Sequence, residues 1–84
     1  MARTNVNDGS IVAAYEYFPE RSALVIEFTD QSALRMWLFE NVSQAEVDGL
    51  DAEPDADKAK GNYVYRRFQR VGKPNREIQP GEAW

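Results

Sequence analysis

The sequence predicts an α+β domain: a small antiparallel sheet of about four strands with one short helix between strands 3 and 4. Three observations predict it. β-branched and aromatic residues alternate with others in runs ahead of residue 40, a helix-capping signature stands at residues 43–46, and alternation resumes after residue 62. With 84 residues the chain has room for one core only, near the size at which burial of apolar surface just outweighs chain entropy.

The run SIVAAYEYF at 10–18 gives the first strand, with Ile11, Ala13, Tyr15 and Tyr17 on one side and Val12, Ala14, Glu16 and Phe18 on the other. Pro19 opens a turn, and SALVIEF at 22–28 resumes the pattern with Leu24, Ile26 and Phe28 on one face, so the two runs form a hairpin. TDQS at 29–32 is the next turn. The stretch ALRMWLFENV mixes helix formers with Trp37 and Phe39, which suit a strand. The residues after it decide between the two. Ser43 and Glu46 make an S-x-x-E capping box, with Val42 and Val47 at the spacing of a hydrophobic staple, so a helix starts at Ser43 and leaves 33–39 as a third strand. Arg35, Trp37 and Phe39 then share one face, opposite Leu34, Met36 and Leu38.

Gly49 weakens the helix and Pro54 bars its continuation, so DAEPDADKAKG at 51–61 reads as an acidic loop. NYVYRRFQRV alternates again and gives the fourth strand, with Tyr63, Tyr65, Arg67, Gln69 and Val71 opposite Val64, Arg66, Phe68 and Arg70. The chain divides into a flexible N-terminus at 1–8, the α+β domain at 9–72 and an extended tail at 73–84, whose Trp84 docks either on the core or on a partner. The expected core is Ile11, Val12, Tyr15, Leu24, Ile26, Phe28, Leu34, Met36, Leu38, Val47, Leu50, Val64 and Phe68.

The order GSIVAAYEYFPERSALVIEF, an aromatic strand, a capped helix and KAKGNYVYRRFQRV resembles, over residues 9–71, the KTSC domain. That short module stands alone in bacterial and phage proteins and at the C-terminus of some lysyl-tRNA synthetases. Ser10, Val25 to Phe28, the pair Trp37 and Phe39 in place of a Y-x-Y motif, and Lys60-Gly61-Asn62-Tyr63 in place of S-K-G-x-Y-F-N carry the likeness. Ala59 departs from that pattern, as does the absence of Phe-Asn after Tyr63, and an ungapped alignment puts Leu34 and Met36 at the Y-x-Y positions. The resemblance implies a fold more than a function.

Composition narrows the function classes. There is no cysteine and no histidine, which removes thiolate metal sites, disulfides, the usual neutral-pH general base and the commonest transition-metal ligand. Serines have no partner at an activating spacing, so the chain is expected not to be an enzyme and to need no cofactor or metal. The acidic run invites a calcium reading, but it lacks the D-x-D-x-D-G order and the glycine at its bend. No stretch approaches the roughly 20 apolar residues of a membrane span. The polar start MARTNVNDGS resembles neither a signal peptide nor a transit sequence, and the expectation is a soluble, cytoplasmic protein without membrane contact.

Net charge is −4, but its distribution says more. Glu40 to Asp57 carries seven acids and no base, and Lys58 to Arg76 carries seven bases and no acid. Two readings of function account for these blocks. In the first, Glu46, Asp48, Asp51, Glu53, Asp55 and Asp57 form an acidic face of a non-catalytic protein-binding module. Its partner would be a basic nucleic-acid-handling protein, and its role that of a phage-type regulator or inhibitor whose carboxylates imitate phosphate spacing. In the second, single-stranded RNA or DNA binds along 63–76, Tyr63 and Tyr65 stacking on bases while Arg66, Arg67, Arg70, Lys73 and Arg76 meet phosphates. Against the second stands ordinary strand behaviour, with the tyrosines in the core and the arginines paired to the acidic block.

Overall fold

A computed structural model describes residues 4–30 and 33–78. The described elements are β1 (Thr4–Asn5), β2 (Val12–Phe18), β3 (Ala23–Asp30), β4 (Ala33–Phe39), α1 (Gln44–Ala52), α2 (Ala59–Val64) and β5 (Asn75–Ile78), with a single 3-10 turn at Pro19–Arg21. A π-helical turn over Tyr65–Gln69 continues α2. The protein is α+β, and the five strands form an antiparallel sheet in sequence order, β1-β2-β3-β4-β5.

The three long strands and the capped helix occupy the places the sequence assigns them. The fourth predicted strand does not. Residues 59–69 are helical, so two helices rather than one separate β4 from the last strand, and the sheet gains β1 and β5 at its edges. The physical reason lies in spacing: Lys60, Tyr63, Val64 and Phe68 are buried while Tyr65, Arg66 and Arg67 are exposed, a three-to-four-residue period that the alternation of aromatic residues conceals.

Register builds the core row by row. Tyr15, Ile26 and Trp37 lie opposite one another across β2, β3 and β4, as do Tyr17, Leu24 and Phe39, and both rows face the helices. Onto them pack Val42, Val47 and Leu50 from α1 and its approach, with Tyr63, Val64 and Phe68 from the second helical segment. The Phe39 and Phe68 rings lie 5.7 Å apart. Each such side chain contributes about 1.5–3 kcal/mol by leaving water. Tyr17 carries its hydroxyl into this core and donates it to the Val42 carbonyl at 2.7 Å.

The expected core needs three corrections. Ile11 is 61% exposed, because the β2–β3 register slips between Val12 and Ala14 and the extra residue turns Val12 inward in its place. Met36 and Leu38 are only partly buried, since the helices cover the Trp37 and Phe39 face of β4. The side chain of Leu34, part of the 29–32 turn and Trp84 lie outside the described residues.

Candidate functional site

The acidic segment is fixed at several points. Ser43 Oγ accepts from the Glu46 amide at 3.2 Å and the Glu46 carboxylate accepts from the Ser43 amide at 3.0 Å, the reciprocal capping box the sequence announces. At the other end of α1, the buried Lys60 amine donates to the Leu50 carbonyl at 2.8 Å and the Asp51 carbonyl at 3.4 Å, adding a donor to the helix C-terminus, where Leu50 also accepts from the Glu53 amide at 3.2 Å. The same amine lies 5.9 Å from the Tyr15 ring centroid, and the Tyr15 hydroxyl donates to Asp51 Oδ1. Burial, then this hydrogen bond, pushes the Tyr15 phenol well above its ordinary value of 10.0, so it stays a donor. Farther on, the Asn7 amide donates to Asp55 Oδ1 at 2.7 Å and the Lys58 amide to the Asp8 carbonyl at 2.8 Å.

Four of the six acidic-face residues, Asp48, Asp51, Asp55 and Asp57, are exposed on this framework. Glu46 is largely taken up by the cap and by Lys73, whose amine stands 3.2 Å away. Burial pushes the Glu46 carboxyl up, but hydrogen bonds and charge from Ser43 and Lys73 more than offset this and hold it below its ordinary value. Glu53 pairs loosely with Arg66 at 3.7 Å.

Asp8 joins the start of the sheet to the start of α2. It is 5% exposed and accepts from the Ser10 amide and hydroxyl, the Lys60 amide at 2.8 Å and the Gly61 amide at 3.3 Å. Burial raises its pKa, yet the Ser10, Gly61 and Lys60 hydrogen bonds outweigh that and leave it lowered. Against this hub, Gly61 packs so closely on Ser10 that a Cβ would collide with the serine side chain.

The helix divides the basic–aromatic stretch differently from a strand. Tyr63 is buried, donating to the Glu46 carbonyl at 2.7 Å, and the Arg67 guanidinium lies 5.8 Å from its ring centroid. Tyr65 is 56% exposed. The expected shared face of Tyr63, Tyr65 and Arg67 is therefore corrected, because helical geometry turns residues 63 and 65 to different sides. Arg66 and Lys73 have acidic neighbours in Glu53 and Glu46, and Lys73 also donates to the Asn41 carbonyl at 2.6 Å. Arg70 and Arg76 are exposed.

A cleft of about 280 Å³ opens between the start of β2 and the second helical segment, with Ile11, Phe28, Lys58, Asn62, Tyr65 and Gln69 in its lining. The sequence alone assigns it no role. Residues 58, 62, 65 and 69 fall at helical spacing, but that signal is invisible once the stretch is read as a strand. Among the described residues, no three of Asp, Glu, His or Cys converge as metal ligands, and no helix is long and apolar enough to cross a membrane. No protein-family model matches the sequence, and no curated protein matches it significantly.

Proposed function

We propose that this chain is a non-catalytic binding module whose acidic face, carried by α1 and the loop to α2, engages a basic surface on another protein. The observation that carries this reading is the combination of exposure and fixation: Asp48, Asp51, Asp55 and Asp57 face solvent on a segment tied down by the Ser43 cap, Lys60 and Asn7. Carboxylates held in place lose little freedom on binding, and their summed field selects a basic partner and speeds encounter. A nucleic-acid-handling protein has such a surface, and occupying it would make the module a regulator or inhibitor, in the manner of a phage-type accessory protein. Kinship with the KTSC domain is part of the same proposal, supported by Ser10, Lys60 and Gly61 meeting around Asp8.

The test must spare carboxylates that hold the fold, so Asp51 and Asp55 stay. With Asp48→Asn, Glu53→Gln and Asp57→Asn combined, immobilised protein should lose a basic nucleic-acid-handling partner that the unmodified chain captures and that added polyanion displaces. Capture undiminished by the triple variant, or untouched by added polyanion, sinks the proposal.

A second reading, binding of single-stranded nucleic acid through 65–76, is supported by one observation: the exposed Tyr65 ring shares a short helical stretch with exposed Arg66, Arg67 and Arg70. Charge reversal at Arg66 and Arg67 together should abolish binding of labelled single strands at low salt while the far-UV spectrum and a cooperative melt are retained.

A further inference from the structure

The cleft beside Tyr65 has a chemistry of its own. Its exposed walls are Ile11, 61% exposed, and Tyr65, 56% exposed, two of the large apolar side chains the fold leaves in water. Val12 and Phe28 contribute apolar floor, and Asn62 and Gln69 contribute exposed amides at the helix side. Among the described residues no carboxylate lines it, while Lys58 does. Asp8 lies close by in sequence, but its oxygens are committed to Ser10, Lys60 and Gly61.

The backbone that brings Lys58 to this position is itself unusual. Asp57 and Lys58 adopt successive left-handed conformations, at φ of 56° and 60°, which non-glycine residues avoid. Such strain collects where a side chain must be aimed.

A flat aromatic wall, an aliphatic wall, two amides that each offer donor and acceptor, and a cation at the mouth together match a nucleotide. The base stacks on the ring, its edge meets the amides, and its phosphate meets the ammonium group. A carboxylate-bearing peptide would satisfy Lys58 but leave the paired amides without a planar edge to read. We propose that this cleft seats one base of a single-stranded nucleic acid between Tyr65 and Ile11, with Lys58 on the adjoining phosphate. The inference rests on the second reading above and assigns its base subsite. Arg66, Arg67 and Arg70, on the same helical stretch, carry the strand onward.

The two claims separate in one titration. Short labelled oligothymidylate and oligouridylate are compared with an abasic strand of equal length, which keeps the phosphates and loses the bases. The expected result is that base-bearing strands bind about tenfold more tightly than the abasic one. Tyr65→Ala should erase that advantage, Tyr65→Phe should keep it, and Lys58→Gln should weaken both kinds of strand alike. Because Tyr65 is exposed, these variants leave the core intact. Equal binding of base-bearing and abasic strands, lost on charge reversal of Arg66 and Arg67, overturns the base subsite and leaves the broader reading standing. Binding of neither strand overturns both, and displacement of a cleft-bound acidic peptide unaffected by oligonucleotide overturns the choice of ligand.

Discussion

Gly49 is the residue at which local propensity and tertiary structure disagree most sharply. Inside an exposed helix a glycine costs about 1 kcal/mol relative to alanine, so the sequence taken alone marks it as a flaw that substitution should mend. In the fold a Cβ there would run into the Tyr63 hydroxyl, with the ring carbon behind it only 3.0 Å away. Tyr63 reaches that spot because it donates to the Glu46 carbonyl one turn earlier in α1. Gly49→Ala should therefore lower stability by about 1–3 kcal/mol in urea unfolding, the usual cost of overpacking, where propensity predicts a gain. Tyr63→Phe removes the colliding oxygen, so its own cost should shrink in the Gly49→Ala background. Additive losses across that double-mutant cycle would show that the two residues do not compete for space. Gly61 is held to glycine for the same kind of reason, by Ser10 from the segment that leads into β2.

At the scale of elements, the two helices show what a sequence can and cannot announce. The start of α1 is written locally: Ser43, Glu46, Val42 and Val47 stand within six residues and all take their expected roles, with both valines buried. Ser43→Ala should cost about 1 kcal/mol, read as a lowered urea midpoint with unchanged slope; a neutral substitution would mean that water serves the same amides equally well. The start of α2 has no such local signature. Lys58 at its N-terminus makes no side-chain cap, and the first-turn amides of Lys60 and Gly61 are served by Asp8, which lies 52 residues from Lys60 in sequence. Nor does composition betray its buried face, because one of the inward positions is a lysine whose stem is apolar and whose amine finds α1 carbonyls. Lys60→Met keeps the stem but removes the amine that serves the Leu50 and Asp51 carbonyls, leaving Leu50 only the Glu53 amide, and should cost about 1–3 kcal/mol in thermal or urea unfolding. The three hairpin strands were legible because their partners are sequence neighbours. The edge strand β5 and the cleft that α2 forms with β2 were not, because each depends on contacts between distant segments, while β1 is only the two polar residues Thr4–Asn5, too short to show an alternation. The acidic and basic blocks were visible as charge, yet which of their members face solvent is decided by the helix that the alternating aromatics disguised.

For the molecule as a whole, these buried polar contacts set a pH range of stability. Asp8 and Glu46 both have folded-state values below their ordinary 3.8 and 4.5, because hydrogen bonds and, for Glu46, the Lys73 charge outweigh burial. A carboxyl depressed by folding contributes stability that is complete above its unfolded value and lost as pH falls through the lower folded one. Tyr15 and Tyr63 carry the opposite sign. Burial raises both above 10.0, most strongly at Tyr15 where Asp51 adds to it, so their contribution is complete below that value and lost as pH rises beyond it. The melting temperature should therefore form a plateau across neutral pH, with an acid limb starting near the ordinary carboxylate range and an alkaline limb starting near 10. The two limbs belong to different residues and can be moved separately. Asp8→Asn puts an amide where backbone donors converge, so it should lower the plateau and flatten the acid limb while leaving the alkaline limb in place. Tyr15→Phe should flatten the alkaline limb and leave the acid one. If Asp8→Asn lowers stability by the same amount at pH 3 as at pH 7, the charge at the junction of β2 and α2 does not stabilise the fold, and the contribution of Asp8 is one of shape alone.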